Sequence, residues 1–555
     1  MFLLHRRVVI TSLLSLSLIG FTCLGAVAQE AAQEKPKENI EWLKDAQGRV
    51  YRLEPIPKQQ AQKIGDDRVR TMWGVAADLG REDEQFYYMK IYRVGPGPAA
   101  ETAKPSASPA SSAVPPSATA ARATSASAAA IETLPRASAR LRWTSYGTGL
   151  PAAGQWRDGL ALADLTGDGR LDIVMSPARK SLRPPSVFVH DGTSWKASAA
   201  FHFPPKAYDY GDVAVGDLNG DGTLDVVLGM HLRGLMAMRG GAGGQFEEIS
   251  EGLPFSMRSE APAFSSRAIL LQDCNGDSRL DIIALGEGPR LPAGGSMNSA
   301  VAMGIGTFMQ QADGSWALAA VPPTAQASSS PTFGAAIASG DVDGDGRVDV
   351  AVAPGTLGDT RLLYRGNGAC GWEPVAIDVV RPRSYITSVA AADVDGDGRA
   401  EVIAGYADFA TEQPFYGVDV LTRAQDGTWR RRALARESGR ARIEAIATGD
   451  IDGDGAVDIA IIGAQGTVIA FLGDGRGGFT RERQTLASPY GCEGAAIAIG
   501  DLDKDGLSDI VVSYSQELSS SSPSACPSEG GIAAWTTHRA PRPAAPKAGA
   551  KSTSP

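Results

Sequence analysis

The chain is poor in the side chains that carry most proton-transfer and transition-metal chemistry. Of its 555 residues only five are His and five are Cys. His5 lies in the N-terminal apolar stretch, which leaves His190, His202, His231 and His538 as imidazole candidates for general acid–base work. No Cys/His spacing of a zinc site is present, nor a G-x-S-x-G elbow, a P-loop or an H-E-x-x-H helix. Basic residues are also in deficit. Lys and Arg total 53 against 63 Asp and Glu, a formal net charge of -10. That balance excludes a phosphate-neutralising surface and hence nucleic acid as a partner. Aromatics make up only 7%. Beyond Leu24 no apolar run approaches the ~20 residues needed to span a bilayer.

What is present divides the chain by composition. Arg6 and Arg7 precede an apolar run from Val8 to Leu24, and Ala26–Ala28 offers a small-x-small cleavage site, so residues 1–28 read as a signal peptide with a mature start at Gln29. No transmembrane span remains after its removal. Residues 29–95 form a small N-terminal segment of no assignable function. It contains a hairpin turned at Asp45–Gly48 and a strand in the run from Glu84. Residues 96–138, rich in Ala, Ser and Pro, and the tail 539–555 have too little apolar surface to offset chain entropy and are expected to be disordered. Four Cys lie outside the signal. Cys492 and Cys526 fall in one repeat and are expected to pair, and Cys274 and Cys370 are expected to be free thiols.

The stretch 139–538 is built on a nine-residue pattern that occurs seven times. It reads DLTGDGRLD from Asp164, DLNGDGTLD from Asp217, DCNGDSRLD from Asp273, DVDGDGRVD from Asp341, DVDGDGRAE from Asp393, DIDGDGAVD from Asp450 and DLDKDGLSD from Asp501. Oxygens at positions one, three and five of a tight loop converge on one point. The carbonyl of position seven and the carboxylate of position nine close a cage for a hard cation that takes six to eight oxygens. Glycines at four and six supply positive φ. The donor sets are Asp164, Thr166, Asp168, Arg170 and Asp172; Asp217, Asn219, Asp221, Thr223 and Asp225; Asp273, Asn275, Asp277, Arg279 and Asp281; Asp341, Asp343, Asp345, Arg347 and Asp349; Asp393, Asp395, Asp397, Arg399 and Glu401; Asp450, Asp452, Asp454, Ala456 and Asp458; and Asp501, Asp503, Asp505, Leu507 and Asp509. The residue at position seven contributes only its carbonyl. Up to seven Ca²⁺ ions are expected, held best from Asp341 and Asp450. Neutral Thr166, Asn219 and Asn275 weaken the first three cages, Ser278 replaces a glycine in the third, and Lys504 brings a cation to the seventh.

An EF-hand would need a Glu at position twelve and flanking helices. The first copy has Met175 there, and its flanks GLALA and LDIVMS read as strands. Each loop therefore joins two strands of a hairpin, and a second hairpin around a Gly-rich turn follows. GDGRGG from Gly473 lies in such a turn, so its G-x-G-x-x-G spacing marks no dinucleotide site. Four strands in a unit of about 55 residues is one propeller blade.

On these seven loops the chain resembles the FG-GAP/VCBS repeat family, whose fold is the integrin α-chain type of β-propeller. The resemblance implies an all-β, seven-bladed propeller of four-stranded blades. The segment RWTSYGTGLP from Arg142 matches QFEEISEGLP from Gln245, so the segment from Leu141 is expected to close the ring as the outer strand of the last blade. The family places ligands on the face away from the metal loops. There Trp156, Tyr208, Tyr210, Tyr385, Tyr406, Tyr416 and Tyr490 are candidate stacking residues for a glycan. The function expected is a secreted, periplasmic or cell-surface, monomeric binding or adhesion module for a glycan or protein. The alternative is a carbohydrate-active enzyme of polysaccharide-lyase type, for which the residues identify no base. The seven loops hold 25 of the 63 acidic residues, so the acid excess is concentrated where cations would sit.

Overall fold

In the computed structural model the described residues are 43–44, 50–57, 78–82, 86–92, 130–131 and 133–540, except 180, 256–263, 289–302, 320–330, 382, 410 and 517–525. The signal segment and the tail 541–555 lie outside them. So does the linker, apart from its last residues. The chain divides into two units, Met1–Arg122 and Ala123–Pro555. In the first, Leu43–Lys44, Val50–Pro57, Phe86–Tyr92 and Asp78–Glu82 form an antiparallel sheet in that order. The pairing of Leu43 with Tyr51 and Lys44 with Val50 fits the hairpin expected around Asp45–Gly48.

The second unit is a ring of seven four-stranded antiparallel blades. Blade 1 comprises Leu160–Ala163, Asp172–Met175, Ser186–His190 and Trp195–Ala197; blade 2 Gly211–Gly216, Asp225–Met230, Gly234–Gly240 and Phe246–Glu248. Blade 3 comprises Ser266–Gln272, Asp281–Gly286, Ile305–Gln310 and Trp316–Leu318; blade 4 Gly334–Gly340, Asp349–Pro354, Leu363–Gly366 and Trp372–Val375. Blade 5 comprises Tyr385–Ala392, Glu401–Asp408, Phe415–Arg423 and Trp429–Ser438; blade 6 Ile443–Gly449, Asp458–Gly463, Val468–Gly473 and Phe479–Glu482. Blade 7 comprises Glu493–Gly500, Asp509–Ser515, Gly530–Arg539 and, from the far end of the unit, Leu141–Ser145. That last strand pairs Arg539 with Leu141 through Trp535 with Ser145, so the ring closes as the sequence predicts.

Packing explains why the second strands read as unbroken apolar runs. Each blade is sandwiched between two others, so both faces of its central strands are buried. In Asp225–Met230 every residue is buried. Val226, Leu228 and Met230 enter the core shared with blade 1, whereas Val227 enters the core shared with blade 3. Seven such apolar clusters fill the seven blade junctions.

Two findings depart from the sequence reading. Within the stretch read as disordered linker, Ala130–Ile131 pairs in parallel with the outer strand of blade 5, and Ala137–Ser138 with that of blade 6. The buried Glu482 carboxylate then accepts the Arg140 and Leu141 N–H groups at 2.8 and 3.2 Å. Residues 130–145 thus belt blades 5, 6 and 7 using backbone groups, which any composition supplies. Cys274 and Cys370 are not free thiols. They form a disulfide between blades 3 and 4, with Cα atoms 5.1 Å apart, alongside the expected Cys492–Cys526 bond. Cys274 stands at position two of its repeat, where the other copies bury an apolar side chain in the blade junction. The outer hairpin of blade 4 reaches that junction and brings Cys370 with it.

Candidate functional site: the acidic loops and the opposite face

Each nine-residue loop joins the first and second strands of its blade. The glycines at positions four and six have φ of +70° to +87°, and Ser278 and Lys504 take the same conformation at +65° and +63°. A Cβ there is strained, so these two loops fold at a cost that glycine avoids. The position-one carboxylate turns the loop about itself. Asp341 accepts the N–H groups of Gly344, Asp345 and Gly346 at 2.7, 3.1 and 2.8 Å. The position-nine carboxylate is fully buried and ties the loop to the third strand. Asp458 accepts Ile451 N–H at 2.7 Å with one oxygen and Gly473 N–H at 2.7 Å with the other. Asp225, Asp281, Asp349 and Asp509 repeat the arrangement.

Positions one, three and nine converge. In four loops one oxygen from each lies within 4.8 Å of the other two: Asp341, Asp343 and Asp349; Asp393, Asp395 and Glu401; Asp450, Asp452 and Asp458; Asp501, Asp503 and Asp509. The first three loops gather no third carboxylate, because Thr166, Asn219 and Asn275 stand at position three. Position five is held differently. Asp345, Asp397, Asp454 and Asp505 each accept the N–H of position seven, at 2.9–3.0 Å. Asp345 is also paired with the Arg347 side chain. Lys504 Nζ lies 2.9 Å from where a Cβ on Gly169 would be, so its charge reaches the first loop.

The electrostatics are those of carboxylates crowded out of water. Burial pushes Asp172 and Asp281 up to about 6, Asp458 and Asp509 to about 7 and Glu401 to about 8. Burial first, and the neighbouring carboxylates second, raise Asp452 and Asp503 as well. Two oxygens in these clusters, Asp343 Oδ1 and Asp452 Oδ1, are buried without any hydrogen-bond partner. A buried acceptor left so is costly unless something else satisfies it. All donors offered are oxygens, the set that a hard divalent cation takes. The residues therefore fit such an ion, with positions one, three and nine as the side chains that would hold it.

The aromatic candidates divide on burial. Tyr208, Tyr210 and Tyr406 are 1%, 8% and 1% exposed and turn no open ring face to solvent. Tyr208 donates its hydroxyl to Pro204 O at 2.7 Å, and Tyr406 lies under the Arg381 guanidinium. Reading these three as stacking platforms is corrected accordingly, since a sugar needs a free ring face. Trp156, Tyr385, Tyr416 and Tyr490 are half-buried. Tyr385 packs near Phe409, and Tyr490 donates to Ile532 O. What the sequence reading missed on this face is a set of charged residues around Tyr210. They fall just before the first strands and just after the second strands of blades 1 to 3, positions that an alignment of the repeats on one another would bring into register.

No helix among the described residues is long and apolar enough to cross a membrane. No curated protein sequence matches the chain. Among solved structures, the chain is similar to one described as BBS1N in complex with ARL6DN, soaked with lead. The identity is 13% and the TM-score 0.39, with 73% of this chain and 98% of that chain covered. A family model for the FG-GAP-like repeat matches residues 164–228, 273–352, 341–404 and 450–512, and one for the FG-GAP repeat matches 385–424. These matches span just over half of the chain and begin at the acidic loops or in the strands beside them. With seven blades each carrying such a loop, the chain belongs to the FG-GAP repeat family.

Proposed function

We propose that the chain is an exported propeller whose acidic loops bind Ca²⁺ for stability, and that the ring acts as a binding or adhesion module for a glycan or protein. The observation that carries the cation reading is the pair of buried, unpartnered oxygens, Asp343 Oδ1 and Asp452 Oδ1, inside three-carboxylate clusters. Three carboxylates this close repel one another unless protons or a cation intervene. A flexible loop of oxygen donors favours Ca²⁺ over Mg²⁺, which demands a stricter octahedron and keeps its waters. Export is supported by two disulfides, which persist in oxidising compartments.

The binding reading is supported by the architecture. Loops on a rigid ring present a fixed surface, and the carboxylates that could serve acid–base chemistry are committed to the loops. Its test has two arms. Metal analysis after dialysis against 1 mM CaCl₂ should find at least four ions per chain, and none after EDTA. Incubation with a panel of acidic polysaccharides should give no rise in the absorbance of unsaturated products. A rise abolished by a point variant would establish an enzyme instead.

A further inference from the structure

On the face opposite the acidic loops, blades 1 to 3 bring together a cluster that the calcium reading does not use. Tyr210 precedes the first strand of blade 2 and is 8% exposed. The guanidinium carbons of Arg157, Arg179 and Arg267 lie 5.9, 5.4 and 6.0 Å from its ring centroid. The His231 ring tilts against it at 4.8 Å. Three cations around one neutral ring need counter-charge, and two of them have it. Arg267 pairs with Glu287 and with Asp158, and Arg157 lies near Asp158. Glu287 also accepts from Ser265 and lies 2.9 Å from His231 Nδ1. Arg267 and the His231 hydrogen bond hold Glu287 well below the usual carboxylate range against its burial, so it is an anion committed to Arg267 and His231.

Arg179 is different. It has no carboxylate within ion-pair distance among the described residues, and its Nη1 is buried without a hydrogen-bond partner. The Tyr210 hydroxyl, on a side chain more than nine-tenths buried, makes no hydrogen bond among the described residues. A third group is unsatisfied beside them. Gln155 is 3% exposed with Oε1 unpartnered, and its carbonyl accepts the Arg179 N–H at 2.9 Å. The site thus offers a cationic donor, a hydroxyl that can give or take, and a neutral acceptor. An inorganic anion would leave the Gln155 acceptor empty. A neutral sugar would leave the Arg179 charge uncompensated. A carboxylate carried beside a hydroxyl satisfies all three.

We propose that this face binds a sugar acid, the uronate unit of an acidic polysaccharide. Arg179 and the Tyr210 hydroxyl take the carboxylate, and Gln155 accepts from a ring hydroxyl. Glu287 fixes Arg267 and His231 behind the Tyr210 ring, as positioning residues. The assignment gives the binding module a ligand class and rests on that reading.

The test is titration calorimetry of the full chain in 1 mM CaCl₂ with tri-galacturonate, maltotriose, sodium sulfate and poly-L-glutamate as separate probes. Tri-galacturonate should bind, with affinity falling as salt rises, and the other three should bind at least tenfold more weakly. Arg179→Gln should weaken tri-galacturonate about tenfold and Tyr210→Phe about threefold, whereas Arg430→Gln on the opposite face should leave it unchanged. Melting curves with and without calcium should be the same for all variants as for the parent chain. Equal binding by Arg179→Gln, equal binding of maltotriose, or no binding of tri-galacturonate overturns the assignment. Preference for poly-L-glutamate also overturns it and makes the partner an acidic protein. If tri-galacturonate fails while calcium still raises the melting temperature, the sugar-acid site falls and the cation cages stand. If calcium has no effect and tri-galacturonate binds, the reverse holds.

Discussion

Chelation is the perturbation whose size follows most directly from the loop geometry. Four loops gather three carboxylates each. Extracellular calcium modules of this kind bind at roughly 10⁻⁴–10⁻³ M. At 10 mM CaCl₂ each site then adds about 1.4–2.7 kcal/mol to folding by mass action, so four sites add about 6–11 kcal/mol. For a propeller of roughly 400 residues, an unfolding entropy of ~2.1 cal/mol/K per residue converts this to a melting-temperature difference of about 7–13 °C. Differential scanning fluorimetry in 10 mM CaCl₂ against 5 mM EDTA measures it. The Asp343→Asn, Asp452→Asn double variant separates a cation cage from a merely acidic turn. Without metal it removes charge from two crowded clusters and should melt higher than the parent chain. In calcium it loses two ligands and should melt lower. A calcium effect below ~2 °C, or a double variant that shifts the same way in both buffers, would refute the reasoning.

Without metal the position-nine carboxyls set a pH dependence of definite sign. Their folded values, about 7 for Asp458 and Asp509 and about 8 for Glu401, lie above the unfolded carboxylate range of ~4. The stability they contribute is full below pH 4 and is lost as pH rises through 7 and 8, so melts in EDTA should fall from pH 5.5 to 8.5 and calcium should flatten the slope. The ring closure is tested at Trp143, 6% exposed in the last strand to be added. Trp143→Ala should cost about 3–5 kcal/mol, or ~4–6 °C, and deleting residues 139–148 should cost far more. Unchanged melting on deletion would sink the closure. Removing the Cys274–Cys370 crosslink, which closes a 96-residue separation, should cost about 4–5 kcal/mol in the chain-entropy picture, read as a drop of ~5 °C in a Cys274→Ala, Cys370→Ala variant. Peptide mapping that finds either thiol free would contradict the bond.

The fold was legible because a repeated constraint leaves a repeated trace. Second strands such as Asp225–Met230 must be apolar on both faces, and the loops before them need the same glycines seven times. The closing strand was legible for the same reason, since Arg142–Pro151 does the work of Gln245–Pro254 one blade later. What occurs once leaves no such trace. Cys274 and Cys370 meet only because two blades pack side by side, and nothing in their separation says so. The belt at Ala130–Ile131 and Ala137–Ser138 binds through backbone groups, so an Ala- and Ser-rich stretch that reads as disorder pairs as well as any other. Tyr208 and Tyr210 sit in connections between strands, where an aromatic ring gives no sign of whether it faces solvent or a neighbouring blade.

The two kinds of feature are unevenly placed around the ring. The three-carboxylate clusters occupy blades 4 to 7, and the belt crosses blades 5 to 7. Blades 1 to 3 have neutral residues at position three, and they carry the Arg179 and Tyr210 cluster on the opposite face. Blade 3 is tied to blade 4 by a covalent bond at the very position where its own loop meets the junction. A cation can stabilise only the blades that gather ligands for it, so calcium should stiffen the ring unequally. Amide hydrogen exchange resolves this, because it reports local opening energies strand by strand. On adding EDTA, exchange should accelerate most in the second strands Asp349–Pro354, Glu401–Asp408, Asp458–Gly463 and Asp509–Ser515. It should change least in Asp172–Met175, Asp225–Met230 and Asp281–Gly286. Uniform acceleration around the ring would mean that the first three loops hold cations as firmly as the others, and that carboxylate count does not decide occupancy.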